Sequence, residues 1–441
     1  MKKIRTLGLA LLMMAMFLTA CGESSSTKNA EGEASKDGKV KLTIWHNFAG
    51  DDLRAKTVRS LIDQFAKDNP NVELDAQAIP VDGYRQRLST VAAANELPDV
   101  FFVYAGSQSS ELHKAGLLQP ITELVNKNAD WKNQFLPGAF EPYSFEPNQI
   151  YSAPISMSAT SILYYNKSLF DKHKVKVPIT WDEMMTAIKV FNENKVTPIA
   201  LGNKATWVAQ STILGSLADR VTGTEWFKNA VAQKGAKFTD PEFIKALGYF
   251  KQLVDNKAFQ EGANSIDNTQ AEQYFIQGNA AMMISGAWTL TNLAASSSEE
   301  QMKNIEVTTL PSIPDGKGEA GTISGGAGGG LALSKRTTGA TKEAALKLIY
   351  AICGPDAQKA IAESNSMVMF DTQVDKSKVS SLYYKAFELV KKSKITPVYD
   401  AYLSADAGEA INNGLQEIMM GGSVDAVAQK LQDAQARSAT P

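Results

Sequence analysis

The 441 residues hold three histidines (His46, His113, His173) and two cysteines (Cys21, Cys353), and none falls at a CxxC or HExxH spacing. No metal site or cofactor is therefore expected. The run Ser324 to Gly330 invites a phosphate-loop reading, but it lacks a GK[ST] ending and no frame gives GxGxxG before a helix. Its glycines, Gly325 and Gly326 foremost, either let backbone groups approach a ligand closely or make a tight turn. Carboxylates are plentiful, yet no pair stands out as the acid and nucleophile of a hydrolase. A hydrolase thus stays open, and tryptophan, amide and hydroxyl groups are the other candidates for a site. Trp288 follows the apolar run Ala280 to Ile284 through Ser285-Gly286-Ala287. It thus stands at the carboxyl end of a strand, where open α/β sheets bind ligands; the alternative is a hydrophobic plug between loop and helix.

The elements that must position these groups are legible as alternation and helical spacing. Val40 to Trp45 alternates with period two, and Asp51 and Asp52 can cap a helix through Leu53, Val58, Leu61, Ile62 and Phe65. A second strand is predicted at 72–79, a helix at 84–94 and a buried strand at 100–104. That β-α-β-α-β order implies a parallel sheet covered on both faces. Helical segments recur at 109–115 and 121–126. Thr180-Trp181-Asp182-Glu183 is a capping box opening a helix to Asn194, and long amphipathic helices are predicted at 241–257 and 342–352. Gly321 to Gly330 reads as a low-complexity interruption, and no fixed-period repeat is present. Trp131, Trp181 and Trp226 fall in scaffold patterns.

Composition narrows the function further. Lys plus Arg number 45 against 47 Asp plus Glu, a net charge of -2, so nothing builds the basic field that a nucleic-acid partner requires. A chain of this length, 44% hydrophobic, exceeds one ordinary domain. Lys2, Lys3 and Arg5 precede the apolar run Leu7 to Ala20, which is shorter than the roughly 20 residues of a spanning helix and reads as a signal peptide over 1–20. Leu18-Thr19-Ala20-Cys21-Gly22 resembles the lipobox of bacterial lipoproteins, which implies lipidation of Cys21. Removing residues 1–20 leaves 42 cations against 47 carboxylates, a mildly acidic chain of -5. Residues 21–39 read as the lipidated cysteine and a flexible tether with a reach of roughly 20 to 25 Å. Cys353, in the apolar run Leu348 to Ile352, reads as a buried small hydrophobe.

Taken in order, Lys41-Leu42-Thr43-Ile44-Trp45, Leu97-Pro98-Asp99-Val100, Tyr165-Asn166-Lys167, Val177 to Glu183, Phe275 to Met282 and Gly286-Ala287-Trp288 resemble the extracellular solute-binding proteins of carbohydrate ABC transporters. The likeness spans nearly all of 40–435, and Thr197 to Lys204 is similar to the multiple-sugar or raffinose branch. It implies an α/β, two-lobed periplasmic-binding-protein-like fold with discontinuous lobes and a central ligand cleft. The lobes would comprise 40–155 plus 312–375, and 156–311 plus 376–441. It further implies a monomer that binds an oligosaccharide and delivers it to a membrane permease, held at the extracellular face of the membrane through its lipid anchor.

A sugar presents hydroxyls and an apolar C–H face, so aromatic plates and amides in a concave setting suit it. The resemblance places a sugar-stacking tryptophan at Trp288. Trp207, in the polar loop Gly202 to Thr206, either faces the ligand or packs in the core. Trp45 likewise ends the first strand as core or ligand contact, and Asn47 in the following turn is the better ligand candidate. Ser107, after the third strand, can meet the ligand or cap the next helix. Asp400 reads as a surface carboxylate that can also accept sugar hydroxyls. An exported glycan-cleaving enzyme, or a binding lipoprotein for another solute such as iron, polyamine or peptide, stands as the alternative.

Overall fold

The computed structural model describes residues 38–439. The signal peptide, the lipobox Cys21 and the tether to residue 37 lie outside them.

The first sheet forms where the alternation predicted it. Val40–His46 lies between Val72–Ala78 and Val100–Tyr104, parallel to both. Gly329–Ser334 then adds antiparallel to Val100–Tyr104 and carries Leu118–Gln119 and Ser152–Pro154 on its other side. The helix Leu53–Asp68 starts at Asp52, whose carboxylate accepts from the Ala55 amide at 3.0 Å. Its Ala55, Val58, Ile62 and Phe65 are buried at helical spacing, in one core with Leu42, Ile44 and Phe101. Trp131 belongs to this core, its indole N–H donating to the Cys353 carbonyl at 2.8 Å. Cys353 is fully buried, and burial pushes its thiol pKa up.

A second sheet runs Ile305–Thr309, Ile162–Asn166, Ala280–Ser285, Thr197–Ala200. The helix Trp181–Glu193 covers it, opened by the reciprocal capping box of Thr180 and Glu183. Helices Pro241–Asp255, Ala405–Met419 and Val424–Ala439 share that side's core through Phe250, Leu415 and Leu431. Ile323 and Met367, within the stretch 312–375 expected with the first lobe, are buried in a cluster on the second sheet with Tyr164 and Met283. Among the described residues no helix is long and apolar enough to cross a membrane.

The glycine run is the main departure from the sequence reading. Instead of an interruption it forms two strands, Ile323–Ala327 and Gly329–Ser334. The first pairs antiparallel with Met157–Ala159 and the second with Ser152–Pro154, at one unchanged offset: Gly325 faces Ala159, and Gly330 faces Pro154. Between them, Ile155 N–H donates to the Gly329 carbonyl and Gly328 N–H to the Ser156 carbonyl, both at 2.9 Å. One continuous two-stranded ribbon therefore runs from the first sheet into a small third sheet, in which Ile323–Ala327 lies between Met157–Ala159 and Ile395–Thr396. The Met157–Ala159 strand leads on into Ile162–Asn166 of the second sheet. Propensity argues against glycine in a strand, but packing requires it here. A Cβ on Gly329 would stand 1.8 Å from the Phe102 ring, and one on Gly330 2.6 Å from the Ala153 carbonyl oxygen.

Gly329→Ala is accordingly expected to lower the unfolding free energy by about 1 to 3 kcal/mol, the cost of overpacking. Gly248→Ala, in a helix with open space around the new Cβ, should be neutral or stabilising by up to about 1 kcal/mol. Equilibrium urea unfolding of both variants checks the contrast, and equal effects would refute it.

Candidate functional site

Between the two sheets lies a cleft of about 1950 Å³, lined from both sides by the loops that follow the strands. Its volume exceeds the roughly 300 to 1,000 Å³ of ordinary small-molecule pockets.

Trp288 lines it at the N-terminus of the helix Thr289–Ser296. Its ring folds back over Gly286, where a Cβ would stand 2.1 Å from the indole, so the glycine before it sets the ring's place. Trp207 meets it edge to face, centroids 5.6 Å apart at 66°, and enters a π-helical turn at Ala209–Leu214. Trp207 is partly buried against the second core, and its N–H reaches Asp82 of the opposite side at 3.5 Å. It therefore packs against the core and lines the cleft at once.

On the first sheet's side, Asn47 is 8% exposed and donates to the Tyr104 hydroxyl at 2.8 Å. Its Oδ1 is buried without a hydrogen-bond partner, as are Trp288 Nε1 and Arg54 Nε. All three residues line the cleft. The three atoms are themselves shielded from solvent, so what these residues offer the cleft is their remaining surface.

Ser107 and Asp400 line the cleft but are turned toward each other. The Ser107 hydroxyl donates to the Asp400 carbonyl at 2.9 Å, and the Asp400 carboxylate pairs with Arg85 at 3.3 Å. The Arg85 guanidinium also lies 4.2 Å over the Tyr104 ring. Gly106 permits this junction: its φ is +85°, and a Cβ would meet the Ala401 carbonyl oxygen at 2.0 Å. Gly325 and Gly326 line the cleft too. At Gly325 the missing side chain makes room for the Ser158 carbonyl oxygen, which lies 2.4 Å from where a Cβ would stand, whereas Gly326 needs glycine for its φ of +143°.

Trp45 requires a correction, because it does not line the cleft. Strand alternation directs its ring away, under the Arg87 guanidinium at 4.6 Å. Sequence reading also missed Arg54, Asp82, Arg85, Asn268 and Asn292, all of which line the cleft. No local motif marks them, since each lies on the first turns of a helix whose polar face looks like any solvated one. Trp226, read as scaffold, stacks on Phe243 and also lines the cleft.

Comparison with known proteins follows this geometry. The family described as bacterial extracellular solute-binding protein matches residues 51–359. The multiple sugar-binding protein of Streptococcus mutans is 28% identical over 343 residues, 76% of this chain and 74% of its own length. An uncharacterized ABC transporter extracellular-binding protein of Pyrococcus horikoshii is 24% identical over 283 residues. That match takes in 63% of this chain and 62% of the relative, less than two thirds of its length. A solved structure, from work on xylan utilization by the thermophilic bacterium Caldanaerobius polysaccharolyticus, superposes with a TM-score of 0.81 at 29% identity. It covers 89% of this chain and 99% of that one, and carries the α/β periplasmic-binding-protein fold.

Beneath the Trp288 helix, Glu272 is fully buried and accepts from Thr289 at 2.6 Å, Asn268 at 2.8 Å and Asn292. Burial raises its pKa from 4.5 to about 7; the three donors oppose that rise and the Asp52 charge adds to it. Such a group stabilises the fold below pH 4.5, and the contribution is lost as pH rises through about 7. His46 has the opposite sign, since burial and then Arg59 lower its pKa to about 4. Its contribution is present above pH 6.5 and lost as pH falls through about 4. Comparing Glu272→Gln with the native chain cancels His46. The variant's melting temperature relative to native should climb between about pH 5 and about pH 8, tracking on the order of 3 kcal/mol. A pH-independent difference would rule out a buried, titrating Glu272.

Proposed function

Because the chain belongs to the bacterial extracellular solute-binding protein family, a family of binding proteins and not of enzymes, we propose that it captures an oligosaccharide in the cleft and delivers it to the permease of an ABC importer. The observation that carries this reading is the Trp288–Trp207 pair in a cleft lined by amide, hydroxyl and carboxylate side chains. Flat aromatic surface takes the C–H face of a sugar, and those polar side chains take its hydroxyls. The sugar-binding Streptococcus mutans relative agrees with it.

In this proposal Trp288 is the main stacking plate, with Trp207 at its edge, Asn47 and the Gly325–Gly326 backbone as hydrogen-bonding groups. Ser107 and Asp400 keep the rim of the cleft in place. The two sheets belong to two lobes, the first built on 40–155 and the strand after Gly328, the second on 156–311 and the C-terminal helices. Ligand contacts from both sides favour the closed arrangement, which gives a permease a difference between loaded and empty protein. Lipidated Cys21 and the tether would keep the protein, as a monomer, near that permease.

A ligand longer than one sugar fits the volume of the cleft and a second aromatic surface. Tyr402 is 52% exposed, lines the cleft, and has Phe227 as its aromatic neighbour in place of the tryptophans.

Covering about 60 to 80 Å² of the Trp288 face contributes on the order of 1.5 to 2 kcal/mol. Trp288→Ala should therefore weaken saccharide binding at least tenfold while the ligand-free melting temperature stays nearly unchanged. A thermal-shift screen of mono- and oligosaccharides, with spermidine and glycerol 3-phosphate included, identifies the ligand and supplies the titration. A large loss of ligand-free stability would make Trp288 a structural plug, and a response confined to spermidine or glycerol 3-phosphate would overturn the saccharide reading.

Tyr402→Ala separates one subsite from several. Calorimetric titration should show the affinity gained with each added sugar flattening at longer chain lengths, with the shortest bound saccharide unaffected. An equal loss at every length would contradict a second aromatic subsite.

A further inference from the structure

Resting on the saccharide reading, we propose that the cleft selects uncharged oligosaccharides and rejects those bearing uronate or phosphate groups. The lining keeps a negative charge after its internal pairs are removed. Nine carboxylates and five cations line the cleft. Four of the cations are committed: Arg85 to Asp400, Lys228 to Glu225, Lys394 to Glu319, and Lys317 to Glu242. Asp219 is buried beside the Arg220 guanidinium, which interacts with it. Five carboxylates then stand in no ion pair among the described residues: Asp51, Asp52, Asp82, Glu141 and Asp267.

Against them stands Arg54, whose guanidinium lies 5.5 Å over the Phe48 ring. It follows Asp51 and Asp52 closely in sequence, so the one lining cation without an ion pair among the described residues sits near two of the carboxylates. The negative groups are spread over both sides of the cleft. Asp52 and Asp82 stand on the first side, at the starts of the helices Leu53–Asp68 and Val81–Ala93; Asp267 caps the helix Asn268–Ile276 on the second.

A hydroxyl meets such carboxylates as a donor and binds them. A uronate or phosphate brings like charge among them, and because Asp51, Asp82 and Glu141 are exposed the repulsion is one that salt screens. Asp52 and Asp82 are moreover held in place by the opposite side, Thr291 donating to Asp52 at 3.0 Å and the Trp207 indole reaching Asp82.

Calorimetry decides the matter with neutral xylo-, galacto- and gluco-oligosaccharides, each paired with a uronate-bearing counterpart of the same length, at low and high ionic strength. For any pair that binds, the uronate member should be at least tenfold weaker at low salt, and the gap should narrow at high salt. The Asp82→Asn/Glu141→Gln double variant should narrow it as well. Tighter binding of a uronate member would overturn the selection while leaving the saccharide reading intact. A gap unmoved by both salt and the double variant would overturn charge as its cause. Failure of every saccharide, neutral and acidic, would overturn the saccharide reading and this inference with it.

Discussion

The two-stranded ribbon of residues 152–159 and 325–332 is the constraint from which the cleft follows. It belongs to the first sheet at one end and to the second sheet's side at the other, and its pairing offset does not change between them. A slip of one residue would turn every side chain of a strand to the opposite face, and here it would do so on both sides at once. The ribbon's neighbours approach too closely for side chains at Gly325, Gly329 and Gly330. Glycine is therefore demanded by contact with the Ser158 carbonyl, the Phe102 ring and the Ala153 carbonyl, while only Gly326 is demanded by backbone conformation. A glycine-rich ladder is also locally less stiff than a β-branched one. That property is what the proposed closure asks of the connection.

The remaining contacts across the cleft are polar. Asp52 with Thr291, Asp82 with Trp207, and Asp400 with Arg85 and Ser107 join groups that water can also satisfy. The Arg85 side chain is 47% exposed, so its ion pair contributes at most about 1 kcal/mol. The large apolar areas belong instead to separate cores, Leu42 to Phe370 on the first side and Leu163 to Ala434 on the second. Each body is thus held together by burial, whereas the seam is held by exchangeable hydrogen bonds. Had the seam been apolar, parting it would expose surface at about 25 cal/mol per Å², and a bound ligand could not leave.

Much of this was legible locally. The parallel order of the first three strands followed from alternation, and the helix starts at Asp52 and Thr180 followed from capping chemistry. Trp288 was found because strand, small residues and a tryptophan occur in immediate succession. Three things were not legible, for one physical reason: each depends on a partner far away in the chain. The strands at 323–334 look like loop until Phe102 and Ser158 are placed against them. Trp45 looks like a cleft residue until the pleat turns it toward Arg87. Asp400 looks like a surface carboxylate until Arg85, 315 positions earlier, is set beside it.

The unpaired polar atoms of the cleft complete this picture. A buried donor or acceptor without a partner costs about 1 to 3 kcal/mol, and natural folds tolerate few of them. Here Asn47 Oδ1, Arg54 Nε and Trp288 Nε1 lie in residues that line one cleft, drawn from both sides of it. Each is shielded from solvent as it stands, so on the proposed reading a ligand recovers that cost only where these residues shift to meet it. Neither side gains all of that energy alone, because Trp288 and Asn47 stand on opposite bodies and only a ligand touching both can satisfy both. On the proposed reading, groups that hold a polyhydroxylated solute from both sides also make closure conditional on its presence.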